Sequence, residues 1–294
     1  MKKLFFIFSL MVSFNANAWE ACGTDADGNT ANCEYQIDAS GTLTIRGTGD
    51  NGNIGYWYSD EQTDCVQPWK NKDVKNVVIE DSIKDLGSYG FYGITSINPV
   101  EIPSSISTIP YRSFWGASLS EVVFPDSVTS IADSAFSWSL IQKINIPESV
   151  TTIGAAFRGT PLTDIVIPDS VNSISGDAFS YCTNLQSITI GENTQLGNIF
   201  TGADSDTVFT DIANLKIYCT GDTAKCDANL AAAGYPELKT SKATTKQING
   251  VTYVYDKNGK LVTSSGHRTE KRIYTIEEAN EVAGPINRVS IKYR

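Results

Sequence analysis

The chain of 294 residues holds one histidine, His267, and only two methionines. One histidine excludes a two-histidine metal site and a histidine proton relay, which removes much hydrolase and metalloenzyme chemistry. Positive charge is also scarce: the net charge of −10 argues against a nucleic-acid binder that neutralises phosphates. After the first dozen residues no stretch approaches the ~18 apolar residues of a membrane-spanning helix. What the chain does have is enough apolar content, 41% hydrophobic and 10% aromatic residues, to build a packed core rather than remain disordered.

The N-terminus reads as an export signal spanning 1–18. Met1-Lys2-Lys3 is a short basic start, Leu4 to Val12 is nearly all apolar, and Ala16-Asn17-Ala18 is a small-x-small cleavage pattern. An exported chain with six cysteines is a candidate for disulfides. Cys22 and Cys33 bracket one turn-rich stretch and Cys219 and Cys226 another, while Cys65 and Cys182 are left over. Charge is uneven as well. Residues 241–294 hold ten Lys/Arg against five Asp/Glu, and residues 19–240 carry −17, so a boundary is expected near 240.

Self-similarity is the main signal. Val100-Glu101-Ile102-Pro103, Val122-Val123-Phe124-Pro125, Ile144-Asn145-Ile146-Pro147 and Ile165-Val166-Ile167-Pro168 recur with their prolines 22, 22 and 21 residues apart. Each is followed by two inward apolar positions, such as Val128 and Ile131, and then by Phe114, Phe136, Phe157 or Phe179. A degenerate copy precedes them (Val77, Ile79, Ile83, Leu86, Phe91), another follows (Leu185, Ile188, Ile190), and a last strand-like copy is Ile212, Leu215, Ile217. Apolar-x-apolar is a strand with one buried face, proline ends it because it cannot donate to a ladder, and one unit cannot bury its apolar side alone. The fold class expected is a mainly β repeat solenoid, a right-handed coil with a parallel sheet along one side.

The pattern leucine-x-x-isoleucine-x-isoleucine-proline followed by valine, isoleucine and Ala-Phe, best seen in Leu119–Phe136 and Leu162–Phe179, closely resembles the BspA-like leucine-rich repeat family of bacterial surface and secreted proteins. The resemblance covers roughly residues 34–220. Gly41 to Ile45, Gly47-Thr48-Gly49 and Pro68-Trp69 look like the cap that precedes such repeats. The family accepts Cys or Asn at Cys182; the other copies here have Ala117, Ser139 and Thr160, so a buried, inert thiol is expected. The resemblance implies roles in adhesion to host or neighbouring cells.

The domain layout expected is a signal at 1–18, a β cap at 19–73, repeats at 74–218, a C-terminal cap at 219–240 and a basic tail at 241–294. Glu34 to Ile37 and Thr42 to Arg46 make a hairpin around Asp38-Ala39-Ser40-Gly41. Asp227 to Ala233 reads as a short helix with Asp227 as its N-cap. In the tail, Lys242 to Lys246 reads as a linker, and Val251 to Tyr255 and Lys260 to Val262 as a hairpin around Asn258-Gly259. Thr275 with Glu278 and Gly284-Pro285 mark a helix, and Arg288 to Arg294 a strand.

Several chemical motifs fail on inspection. Gly47-Thr48-Gly49-Asp50-Asn51-Gly52 matches the dinucleotide fingerprint, but no helix opens there. Asp25-Ala26-Asp27-Gly28-Asn29 lacks the glycine and glutamate that a calcium loop needs at its sixth and twelfth positions. No metal, no cofactor and no catalytic residues are assigned, and Ser–His chemistry has only His267 to draw on. The surface expected to bind is the outward face of the repeat strands: Val78, Glu101, Val123, Asn145, Val166, Thr189 and Lys216 in one column, with Glu121, Lys143 and Asp164 in the next. Tyr56, Trp57 and Tyr58, near Trp69, form an aromatic cluster able to cover the first repeat or to stack on a ligand. Trp115, Trp138 and Tyr181 are expected together on one edge. The function read from this is a secreted or cell-surface, non-enzymatic binding protein whose partner is an extracellular protein or glycan. The alternatives are an exported carboxylate-dependent glycan hydrolase and a structural envelope component with the basic tail on an anionic polymer.

Overall fold

A computed structural model describes residues 18–24, 28–57, 67–96, 98–119, 121–200, 215–248 and 251–265. Residues 1–17 of the expected signal, Asp25 to Asp27, Tyr58, Cys65, Ile212, His267 and the helix and strand expected after 270 lie outside the described residues.

The chain opens with the expected hairpin. Cys33–Ile37 pairs antiparallel with Thr42–Gly47, Tyr35 opposite Ile45. Asp38 organises the turn, its Oδ1 accepting from Ser40 N at 2.8 Å and Thr42 N at 2.9 Å. Gly41 (φ +83°) must be glycine twice over, since a Cβ there would also lie 2.8 Å from Asp73 O. The same hairpin starts the solenoid. Its second strand pairs in parallel with Asn76–Ile79, Leu43 beside Val77, so the cap supplies the first rung. A Cys22–Cys33 disulfide ties the entry of the chain to the hairpin.

From there the chain coils. Its front strands include Val100–Glu101 beside Val122–Val123, then Asp164–Val166, Ser187–Ile190 and Lys216–Cys219 in parallel; no strand forms at 139–148. A second parallel sheet of two-residue strands runs from Thr108–Ile109 to Gln195–Leu196. Ile102, Phe124, Ile146 and Ile167 are all buried on successive rungs. The repeated phenylalanines stack through the middle. Phe91, Phe114, Phe136, Phe157 and Phe179 have successive ring centroids 5.0, 5.3, 5.8 and 5.8 Å apart with planes within 9° of parallel. Equivalent positions one rung apart must repeat at about the strand spacing, which is also a favourable offset-stacking distance. Trp69 continues the column at one end, 6.0 Å from Phe91. Near the other end Phe200 meets Tyr235 edge-on at 5.2 Å. The expected β-rich repeat solenoid is therefore the observed fold.

Three expectations about the C-terminal part are corrected. The helix spans Thr223–Ala232, and its N-cap is Asp222, which accepts from Ala224 N at 2.9 Å. Asp227 lies inside it and holds the next strand, accepting from Thr240 N and Oγ1, both at 2.8 Å. The Cys219–Cys226 disulfide therefore joins the last front strand to the first turns of the helix. Second, Lys242 to Lys246 is no linker. Thr240–Ile248 is a strand, parallel to Lys216–Cys219 and antiparallel to Val251–Asp256, which in turn pairs with Leu261–Ser265. Its residues read as polar because pairing uses the backbone and, of Lys242 to Lys246, only Ala243 is buried. Third, the front register shifts. Ser187 stands beside Lys216 and Thr189 beside Tyr218, so Lys216 belongs to the column of Asp164, and Tyr218 takes its place. The period holds through Leu196 and Phe200, which stand 22 and 21 residues after Ile174 and Phe179; the next front strand places Lys216 29 residues after Ser187, so there only strand pairing sets the register.

Candidate functional site

The front face divides at about residue 146. On the early rungs Val78 is 46% exposed, Glu101 and Lys143 are exposed, and Glu121, Val123 and Asn145 are half-buried. Near these rungs an open depression of about 640 Å³ is lined by Glu80, Asp81, Ser82, Glu101, Pro103 and Ser104, among others. On the late rungs the face is covered. The six-stranded sheet that begins at Asp164–Val166 ends in the meander 240–265, and its last strand, Leu261–Ser265, returns to the first. The curled sheet encloses a second small core of Val166, Ala243 and Val254, with Tyr218 and Val262 packed on it. Val166 and Thr189, expected to face solvent, are thus buried beneath the chain's own tail, at 5% and 0% exposure. The Thr189 hydroxyl has no hydrogen-bond partner there. Asp164 and Lys216 remain reachable in a depression of about 220 Å³ that they share with Tyr218, Asp256 and Lys260. Asp164 accepts from Ser187 Oγ at 2.5 Å.

The seam between meander and repeats is polar. Gln247 Nε2 donates to Glu148 at 3.2 Å, and Thr220 Oγ1 donates to Asp169 at 2.5 Å. Burial, and next the charge of Asp169, hold the Glu148 carboxyl above the ordinary carboxylate range. These two carboxylates share a cavity of only about 20 Å³, room for about one water and none for a sugar ring.

The aromatic cluster near the cap is a cover. Trp57 is buried at 2% exposure and donates through Nε1 to Ile54 O at 2.7 Å. Tyr56 is half-buried, edge-on to Tyr89 at 6.1 Å.

The turns that carry the phenylalanines form a different surface. Among the described residues seven non-glycines have positive φ, and six of them fall on two repeat positions. Two residues before the phenylalanine stand Tyr89, Arg112, Ser134 and Asp177; two residues after it stand Trp138 and Tyr181. At the latter position the other rungs have Gly93, Gly116 and Gly159, all with positive φ. A left-handed conformation at a bulky residue costs about 1–3 kcal/mol and persists only where its surroundings hold it. Trp138, 47% exposed, lies across Gly159, where a Cβ would overlap its ring, and reaches Tyr181 at 5.4 Å. Arg158 lies 4.8 Å from the Tyr181 ring centre and 3.8 Å from Asp177. Further along, the Arg112 guanidinium is enclosed by the rings of Tyr89, Tyr111 and Trp115, at 5.6, 4.9 and 4.7 Å, and donates to Tyr89 Oη at 2.7 Å. Burial pushes the Tyr89 phenol up to about 12, so it stays a neutral partner for the arginine. Tyr92 joins Trp115 at 5.1 Å. The sequence reading places Trp115, Trp138 and Tyr181 on this edge but misses Tyr111 and Arg112. The available signal was the repeat itself, since both occupy positions that are small or acidic in the other strong copies, Asp133-Ser134 and Gly176-Asp177.

Stacked rungs, a shallow strand face and an aromatic turn face define, among the described residues, a solenoid repeat protein that offers open surfaces. The BspA type leucine rich repeat region matches in six copies, over residues 67–186 and 155–207. The chain's repeat region belongs to that family. No curated protein matches. Among solved structures, a leucine-rich repeat protein from Eubacterium ventriosum is 21% identical, covering 56% of this chain and 44% of its own, with a TM-score of 0.47. A leucine rich cell surface protein from Faecalibacterium prausnitzii is also 21% identical, covering 79% and 59%, with a TM-score of 0.33. The leucine rich repeat protein of T. pallidum is 24% identical over 54% and 68%, with a TM-score of 0.31. This chain thus matches about half the length of the first two.

Proposed function

We propose that this is an exported, non-enzymatic binding protein of the bacterial surface or medium, which holds a protein of another cell or its matrix, as an adhesin does. The recognising surface is the open part of the front face, Val78, Glu101, Glu121, Val123, Lys143 and Asn145. The observation that carries this reading is the exposure of Val78 beside Glu101 and Val123 on registered rungs, while the equivalent apolar position on a later rung, Val166, is covered by the chain itself. Apolar side chains within reach of solvent and interleaved with charged ones suit contact with a protein surface. Export agrees with the signal pattern at 1–18 and with two disulfides, which persist in oxidising compartments; among the described residues no helix is long and apolar enough to cross a membrane.

The test is capture of host-matrix and bacterial-surface proteins on immobilised chain. Val78→Asp combined with Val123→Asp should cut capture at least tenfold with the fold unchanged by circular dichroism. Capture equal to that of the unaltered chain would refute the front face as the site. Turnover of a glycan that disappears with a single Asp or Glu substitution would refute the non-enzymatic reading.

A further inference from the structure

We propose a second binding site, independent of the front face: the aromatic–arginine ledge on the phenylalanine turns, from Tyr111 to Tyr181, takes a linear carboxylated glycan. Three observations carry this. First, Trp138 and Tyr181 hold left-handed backbone at the repeat position where Gly93, Gly116 and Gly159 sit, and Trp138 stays 47% exposed. A ring placed at the expense of backbone comfort and then left in solvent has its open face free for a flat apolar ligand, and the CH face of a pyranose is one. Second, Arg112 makes no ion pair with a carboxylate among the described residues. Its hydrogen bond among them runs from Nη1 to Tyr89 Oη; Nε is buried, so a ligand at this half-buried side chain would meet the Nη groups. A guanidinium set among rings and left short of acceptors is built to receive a planar carboxylate. Third, the backbone of these turns is already engaged. Phe114 N donates to Ala135 O at 2.8 Å, Gly116 N to Ser137 O at 2.9 Å, Trp138 N to Arg158 O at 2.7 Å and Gly159 N to Ser180 O at 2.8 Å.

That third fact chooses the ligand. An extended peptide that adds to a sheet needs free backbone donors, and these are in use. Recognition is left to ring faces and guanidinium groups, which suit a sugar chain bearing carboxylates. Equivalent side chains repeat at about 5 Å from rung to rung, comparable to the length of one pyranose, so a linear polymer running along the coil keeps its register with the ledge. Trp138 and Tyr181 would stack on rings, and Arg112 would hold an acid group two rungs away from Arg158.

The test is titration of the full chain against three carboxylated probes, hexagalacturonate, a hyaluronate hexasaccharide and sialyllactose, beside maltohexaose and lactose as neutral controls, read by tryptophan fluorescence and calorimetry. At least one carboxylated probe should bind tenfold or more tightly than the neutral ones. Trp138→Gly restores the residue the neighbouring rungs use. It should weaken binding tenfold or more with the melting temperature held or raised, which separates loss of a site from loss of the fold. Arg112→Gln should abolish the preference for the charged probe while leaving residual neutral binding. Failure of all three probes, equal affinity for neutral and acidic sugars, or unchanged binding in both variants overturns the proposal. So does a Trp138-dependent partner that proves to be a protein. Val78→Asp with Val123→Asp should leave these titrations unchanged, so the front-face reading and this one fail separately.

Discussion

Val78 and Val166 point the same way from equivalent strands of one coil, yet Val78 stands 46% in solvent while Val166 is 5% exposed. The rungs beneath them are alike, with buried Ile79 and Ile167 and the same column of stacked rings. What differs is the meander 240–265, which continues the sheet beyond Lys216–Cys219 and folds back over the late rungs. A repeat unit therefore specifies which residues leave its own core, but whether those residues meet water depends on chain that lies far away in sequence.

The largest effect that probes this comparison comes from what the two halves share. Phe136→Ala removes a fully buried ring from the middle of the column and should destabilise the chain by about 3–5 kcal/mol in denaturant unfolding; a loss under about 1 kcal/mol would mean that the column is not one cooperative core. The next largest effect separates the halves. Val254→Asp puts a charge into the second core and should loosen the meander by about 2–3 kcal/mol, read as faster tryptic cleavage at Lys246 and Lys257 while the repeats stay folded. Val78→Asp, on the open half, should change stability by no more than about 0.5 kcal/mol. Equal costs for the two would erase the distinction between a covered face and an open one.

A smaller effect comes from pH. The carboxyl of Glu148 sits above the ordinary carboxylate range because of burial and then Asp169, so the folded form binds the proton more tightly than the unfolded chain does. Its contribution is full at pH below the ordinary value and is lost as pH rises through the raised one. Glu192 has the opposite sign. The hydrogen bond from Asp222 N, and then Lys225, hold it low, so its contribution is present above the ordinary value and is lost as pH falls through the lowered one. Hydrogen exchange in 240–248 should therefore slow as pH is lowered toward 5, after correction for the intrinsic rate, and Glu148→Gln should flatten that profile. A last effect concerns Cys182. Burial pushes its thiol up, and its Sγ donates to Phe157 O at 3.1 Å. It should resist dithionitrobenzoate in the folded chain, and Cys182→Ala should cost about 1 kcal/mol.

Much of this was legible in the residues. The period of the prolines and phenylalanines announces stacked rungs, the Asp38–Gly41 turn announces the cap hairpin, and both short-range disulfides follow from cysteines that bracket turns. Three misreadings share one cause. Lys242 to Lys246 reads as a linker, Asp227 as a cap and Lys216 as part of the wrong column because each lies beyond Phe200, the last residue to keep the period, where nearest-neighbour arithmetic loses its reference. The aromatic turn face was half legible: the rings are visible in the repeat, but their left-handed backbone and the enclosure of Arg112 are not.

The sequence by itself determined the coil, because an apolar pattern repeated every 21–22 residues can be buried only by stacking each unit on the next. It also determined the inert environment of Cys182, whose repeat position holds small residues in the other copies. Only the tertiary structure decided which part of the strand face stays open. The tail that covers Val166 and Thr189 attaches by backbone hydrogen bonds and a handful of apolar contacts, and neither leaves a periodic mark in the chain that makes them.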